Sequence, residues 1–278
     1  MGRVERNIEI TYGSKDLARN PAFQGGWINF GYWKGLLKAG KVSSRQDRIG
    51  ASQSLYRCLW RRLPITDDDE VLEVGCGRGL GCALALLRFH PKRITGLDFS
   101  QDQVKRARAI NRRLLESGPC LSFVQGRADR MPFKDGDFSR LYSVEAAQHF
   151  GSVAKFANES WRVLKPNGQI ALTTFFAADS SALAPLEAML PTIRKRIDRI
   201  IPIGDCLNAF RRAGFQNIAC ASIGKHVFEG FERWLASRED ESGWPRNWLR
   251  AFRQGLLDYF VVSGSKPIVN SGDNLFIS

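Results

Sequence analysis

The sequence predicts an α/β fold: a doubly wound, seven-stranded, mostly parallel sheet preceded by a helical region. From residue 67 onward, short apolar runs alternate with helix-length segments, as strands joined by crossover helices require. A glycine cluster, Gly75, Gly77 and Gly79, stands directly after one such run and directly before a helix. An acidic residue, Asp98, closes the next run about twenty positions on, where this kind of sheet places a carboxylate that can receive ribose hydroxyls.

Each element has its own signal. Asp67, Asp68 and Asp69 lead into the apolar run 70–74, a buried strand that stops at the glycines. Residues 81–89, dense in Ala and Leu, form a helix ended by His90-Pro91, because proline turns the preceding residue away from helix. A second strand covers 93–99 and a long charged helix covers 101–116, with the Ser100 hydroxyl placed to cap its first turn. Strands at 120–125, 139–144 and 168–175 follow, with a helix at 153–164 before the last of them. A helix at 203–213 ends at Gly214, and late strands near 217–221 and 257–262 bracket a tryptophan-rich helical stretch.

The chain has 278 residues, enough for one well-buried domain with appended elements rather than two large ones. Its 44% apolar and 25% charged residues are an ordinary globular balance, which excludes a disordered or fibrous chain. Four regions result: an N-terminal helical and aromatic region at 1–66, a core at 67–178, an insertion with the final strands of the same domain at 179–266, and a tail at 267–278. There is no apolar run of the roughly 20 residues that span a bilayer. The opening MGRVERNIEI lacks the apolar stretch of a secretory signal, so a cytoplasmic protein is expected.

Six cysteines (58, 76, 82, 120, 206 and 220) form no C-x-x-C pair, and only three histidines accompany them. Reduced, packed thiols are therefore expected, and no zinc or other metal. The formal net charge of +13 implies attraction to anions. The basic residues are spread along the chain, with loose clusters at Lys105, Arg106, Arg108, Arg112 and Arg113, and at Arg194, Lys195, Arg196 and Arg199. No appended module or motif of the nucleic-acid readers is present, so nucleic acid is disfavoured as a partner.

The form of the glycine loop decides which cofactor to expect. A dinucleotide fingerprint is G-x-G-x-x-G, shaped to a pyrophosphate, whereas here an acidic residue, Glu73, stands two positions before G-x-G-x-G. With this loop, Gly96-Leu97-Asp98-Phe99-Ser100, Met131-Pro132-Phe133 and its following Asp135-Gly136-Asp137-Phe138, Ser143-Val144-Glu145-Ala146, and Val163-Leu164-Lys165-Pro166-Asn167-Gly168, residues 70–178 resemble the class I methyltransferases. The likeness is to the type 11 branch that modifies small metabolites, including macrolide-sugar and phthiotriol-type O-methyltransferases.

The resemblance implies a Rossmann-like core and S-adenosyl-L-methionine as cofactor. It implies that Gly75, Cys76, Gly77 and Gly79 lie against the methionine part, that Glu73 contributes to its ammonium and carboxylate end, and that Asp98 holds the ribose. Phe99, Gln103 and Glu145 join the expected cofactor-binding set. One position departs from the family, which has an aspartate toward the adenine where this chain has Arg127. Arginine cannot accept a hydrogen bond. Asp129 could substitute, backbone groups near Ala128 could suffice, or the cofactor could sit less tightly. Cys76 is read as a small residue in the turn, with a nucleophile as the alternative.

Transfer of a methyl group from a sulfonium depends mainly on positioning. A base helps where the acceptor is a hydroxyl, and His149, just beyond the fourth strand, is the catalytic candidate. Its competing role is packing. The segment Gly25-Gly26-Trp27-Ile28-Asn29-Phe30-Gly31-Tyr32-Trp33 resembles a segment ahead of the core in relatives acting on macrolide sugars and mycobacterial lipids. There such residues close over the cofactor, so Tyr32 and Trp33, with Tyr12, are expected at the ligand or else in packing. Residues 175–212 occupy the place of an acceptor cap, and residues 228–252, with Trp234, Trp244 and Trp248, offer a further wall. The expected partner is a small-molecule acceptor methylated on a hydroxyl or amine, with anionic and lipid-like compounds among the classes open; a nucleic-acid methyltransferase and a noncatalytic cofactor-binding interaction protein are the alternative readings.

Overall fold

The computed structural model of the chain describes residues 3–37, 43–238 and 245–268; Trp244 and residues 269–278 of the expected tail lie outside them. Ahead of the sheet stand α1 (Arg3–Ile8) and α2 (Arg45–Trp60). The first half of the core runs β1 (Glu70–Val74), α3 (Leu80–Phe89), β2 (Arg93–Asp98), α4 (Gln101–Ile110), α5 (Arg112–Glu116), β3 (Leu121–Gln125) and β4 (Phe138–Val144). Then follow α6 (Val153–Val163), β5 (Leu164–Ala177), α7 (Leu183–Met189), α8 (Pro191–Arg194) and α9 (Ile203–Arg212). The chain closes with β6 (Gln216–Ser222), α10 (Phe228–Ala236), α11 (Trp248–Arg253) and β7 (Leu257–Ser265).

The seven strands form one sheet in the order β3-β2-β1-β4-β5-β7-β6. All neighbouring pairs are parallel except those of β7, which runs antiparallel to both β5 and β6. The order reverses between β1 and β4, the crevice where open α/β sheets take their ligands beyond the carboxyl ends of the strands. Two apolar layers cover the sheet, one built on Leu55, Leu59, Val71 and Ile94 and the other on Phe138, Phe156, Phe210 and Leu172. Among the described residues, no helix is long and apolar enough to cross a membrane.

The long helix expected at 101–116 is two, α4 and α5. Asn111 joins them outside helical geometry, and its amide donates back to the Ala107 carbonyl at 2.8 Å and to the Arg78 carbonyl at 3.2 Å. Asparagine side chains compete in this way for backbone partners and interrupt helices. Strand β5 begins at Leu164 rather than at residue 168, because Leu164 pairs with Phe138 before a register shift.

The glycine and aromatic segment at 25–33 is a packing device along most of its length. Gly31 adopts φ +81°, and a Cβ there would stand 2.9 Å from the Ala51 methyl, so only glycine lets this turn lie on α2. The Tyr32 amide donates to the Ala51 carbonyl at 2.8 Å and the Trp33 amide to the His226 carbonyl at 2.7 Å. The Trp33 indole is fully buried and rests on Gly230 of α10, where an added Cβ would fall 2.1 Å from the ring. Phe30 stacks on Phe231 at 4.2 Å between ring centroids. Beneath them the wholly buried Arg48 donates to the carbonyls of Ala22 and Asn29 and to the Ser52 hydroxyl, satisfying a buried charge as burial demands.

Candidate active site

A cavity of about 810 Å³ opens at the carboxyl ends of β1, β2, β3 and β4, near the upper end of the usual range for ligand sites. Gly75, Cys76, Gly77 and Arg78 follow β1, Asp98, Phe99 and Ser100 follow β2, and Gly126 to Asp129 follow β3. Glu145 and His149 follow β4. Opposite them stand Glu5, Ile8 and Tyr12 from the N-terminal segment, Gly26, Trp27 and Ile28, and Leu183, Ile193, Ile197 and Ile200 from the insertion.

The glycine loop is stitched to the next strand by its own backbone. The amides of Gly75 and Cys76 both donate to the Leu97 carbonyl, at 2.7 and 3.0 Å, and that of Gly79 to Cys76 at 2.8 Å. The Gly77 amide donates to Asp98 Oδ2 at 2.8 Å, while Oδ1 accepts from the Ser100 amide at 2.9 Å. These four loop amides thus have protein acceptors, which leaves none of them to cradle a pyrophosphate. Gly75, at φ +78°, lies against the Ala146 methyl, whereas a Cβ on Gly77, at φ +51°, would meet no protein atom within 4 Å. The space above Gly77 is open cavity.

Asp98 lines that space, and burial raises its carboxyl to about 6. It remains mostly ionised at neutral pH and keeps lone pairs for two hydroxyl donors. Cys76 is buried, and its thiol stands at about 11, too high for a thiolate nucleophile at neutral pH. Phe99 and Gln103 line the cavity. The Gln103 amide also ties down the N-terminal segment by donating to the Tyr12 carbonyl at 2.7 Å.

Other expected residues are placed differently. Glu73 is fully buried beneath the loop, where Tyr56 and Tyr142 donate to it at 3.1 Å and the Cys82 thiol at 2.9 Å. Burial lifts it to about 7, and it does not line the cavity. Gly79 is likewise behind the wall, pressed on Phe123. Tyr32 and Trp33 are absent from the lining: the Trp33 indole is seated on α10 and the Tyr32 ring lies on His226 at 5.3 Å between centroids. Among the described residues ahead of the sheet, the aromatic groups that reach the cavity are Tyr12, Trp27 and Tyr56.

Arg127 makes two bonds to Asp129, from Nε at 2.8 Å and Nη2 at 3.0 Å, pairs with Glu5 of α1, and lies 5.7 Å from the Phe99 ring centroid. Arginine here is a brace between the β3 loop and α1, and it holds the Asp129 carboxyl below its ordinary range. Ala128 and Asp129 both line the cavity.

The catalytic candidate lies inside a buried chain of polar groups. His149 Nδ1–H donates to the Ile197 carbonyl at 2.9 Å, which leaves Nε2 to accept from the Tyr12 hydroxyl at 2.8 Å. Asp198 stands 3.6 Å from Nδ1. Burial lowers the His149 pKa against the opposing pull of Asp198, which favours the neutral ring, and Nε2 is its proton-accepting atom, facing the Tyr12 hydroxyl and, at 3.2 Å, the Gln148 amide. Glu145, in left-handed geometry at φ +47°, accepts from the Phe30 amide at 2.8 Å and the Tyr259 hydroxyl at 2.6 Å. Desolvation lifts its carboxyl to about 8.

Asp198 and Arg78 belong to this cavity and were not singled out from the sequence as site residues. Asp198 sits as the lone acid within the basic run 194–199, a local oddity that marks it only in hindsight of its contact with His149. Arg78 stands between Gly77 and Gly79, at a position that the glycine pattern leaves unspecified.

Comparison with known proteins finds methyltransferases by sequence and by fold. A family described as methyltransferase domain matches residues 72–172. Erythromycin 3''-O-methyltransferase of Saccharopolyspora erythraea is 29% identical over 230 residues, which are 79% of this chain and 72% of that protein. A sterol 24-C-methyltransferase of Gibberella zeae is 34% identical over 226 residues, 78% of this chain but only 54% of its own length. Among solved structures, geranyl diphosphate C-methyltransferase from Streptomyces coelicolor superposes with a TM-score of 0.80 over 95% of this chain and 98% of that one, at 15% identity.

Proposed function

This chain belongs to the class I S-adenosylmethionine-dependent methyltransferases, and we propose that it methylates a hydroxyl or amine of a small-molecule metabolite in the cavity described above. Residues 67–178 serve as the cofactor-binding core, and residues 1–66 and 179–266 supply the acceptor's walls. The cofactor fits the residues present: Asp98 offers a carboxylate for the ribose, and the open space over Gly77 admits a ligand close to the backbone. Gly75, Cys76, Phe99, Gln103, Ala128 and Asp129 would border it. S-adenosylmethionine, when bound, supplies a methyl group already activated on sulfur.

The observation that carries the proposal is the Tyr12, His149 and Asp198 chain, which shares one cavity with Asp98. A hydroxyl acceptor seated against Tyr12 gives its proton to the phenol oxygen as Tyr12 passes its own proton to His149 Nε2. The imidazolium so formed is balanced by Asp198, and water is excluded by the apolar wall of Ile8, Leu183, Ile193 and Ile200. That wall suits an acceptor with a lipid-like body, and Arg196 and Arg199 on the lining suit an anionic group on it. The relatives named above act on a macrolide, a sterol and a prenyl diphosphate, which supports a hydrophobic acceptor.

The test is calorimetry with S-adenosylmethionine and its demethylated product, followed by turnover of hydroxyl and amine acceptors by wild type and His149→Ala. The variant should lose about a hundredfold or more in turnover while binding the cofactor as before. Equal turnover would remove His149 from the chemistry.

A further inference from the structure

The cavity contains a cationic position that the expected cofactor set leaves out. Arg78 lines it beside Gly77, with its side chain 18% exposed. Its Nη2 donates to Asp16 Oδ2 at 2.6 Å, and Nη1 lies against the backbone of Gly26, where an added Cβ would stand 3.2 Å away. The buried Nε has no partner. Asp16, itself in left-handed geometry at φ +51°, shares the same oxygen with Arg19 at 3.4 Å and Arg106 at 3.8 Å. Three guanidinium groups thus surround one carboxylate, and the methionine side of the loop carries surplus positive charge.

The glycine amides of the loop and Glu73 do not serve an anion here. The amides of Gly75, Cys76, Gly77 and Gly79 are taken by protein acceptors, and Glu73, expected at this end of the ligand, is sealed below the loop. A carboxylate arriving over the loop meets the Arg78 guanidinium and none of these four amides. Guanidinium is also the side chain best shaped to a planar carboxylate.

We infer that Arg78 is the carboxylate subsite of this cavity, holding the amino-acid end of the adenosyl ligand, and that Asp16 positions it. Closure of the N-terminal segment and recognition of that carboxylate then become one event, because Asp16 belongs to the segment and Arg78 to the loop. The inference rests on the cavity being the cofactor site.

The experiment compares S-adenosylhomocysteine with decarboxylated S-adenosylhomocysteine and 5'-methylthioadenosine by calorimetry on the full chain. Wild type should favour S-adenosylhomocysteine over the decarboxylated form by about tenfold or more, equivalent to about 1.4 kcal/mol. Arg78→Gln should erase that preference and leave 5'-methylthioadenosine affinity unchanged, while Arg78→Lys, which keeps the charge without the planar fork, should retain part of it. Asp16→Asn should weaken S-adenosylhomocysteine more than 5'-methylthioadenosine. A wild type indifferent to the carboxylate, or an Arg78→Gln variant that still prefers it, overturns the inference. A wild type that binds no adenosyl ligand would instead fail the reading of the cavity itself.

Discussion

Two glycine-rich segments meet near the cavity and use glycine in opposite ways. In the loop at 75–79, Gly77 turns through φ +51° with nothing of the protein within reach of a Cβ. In the segment at 25–33, Gly31 turns through φ +81° with Ala51 pressed against it. Both sit at positive φ, which glycine adopts without the strain a side chain brings. One leaves room for a ligand, and the other lets protein lie on protein. Glycine in a sequence therefore marks a close approach without saying what approaches.

The sharpest way to break this contrast is to cut into each side of it. Trp33→Ala removes a buried indole from its seat on Gly230 and should cost about 3 to 5 kcal/mol of stability in denaturant unfolding. The folded fraction should bind the cofactor as wild type does. A selective loss of cofactor affinity would return Trp33 to the ligand. Gly77→Ala should do the reverse, costing only about 1 to 2 kcal/mol for the left-handed backbone while cofactor affinity falls by about tenfold or more. Unchanged affinity would mean that the space over Gly77 is not used.

The smallest effect concerns pH. Burial holds Asp98 at about 6, Glu73 at about 7 and Glu145 at about 8, all above the ordinary carboxyl range near 4. The folded chain therefore takes up these protons more readily than the unfolded one. The stability they contribute is fully present below about pH 4 and is lost as pH rises through about 6 to 8. The ligand-free protein should melt at a higher temperature at pH 5.5 than at pH 8.5. Glu73→Gln and Glu145→Gln should flatten that slope. A melting temperature that rises over this interval would show that the buried carboxyls are paired more strongly than their neighbours suggest.

The core was legible because its signals are local. Strand, glycine loop and Asp98 fall within about thirty residues, and the hydrogen bond from the Gly77 amide to Asp98 follows from pairing adjacent parallel strands. His149 was legible by position, since it follows a strand end. The proposed role rests on Tyr12 and Asp198, which lie 137 and 49 positions away in sequence and have no spacing rule to announce them. The same holds for Tyr32, Trp33 and Glu73, whose residue types suggested a ligand and whose side chains lie outside the cavity lining.

By itself, the sequence determined the α/β class, the order of the strands along the chain and the glycine loop after the first strand, because periodicity and turn chemistry act over a few residues. Only the tertiary structure decided which polar groups face the cavity and which are spent inside the protein. A side chain's direction depends on what packs behind it, and here α2, α10 and the insertion arrive from distant parts of the chain to set the partners of Glu73, Trp33 and His149.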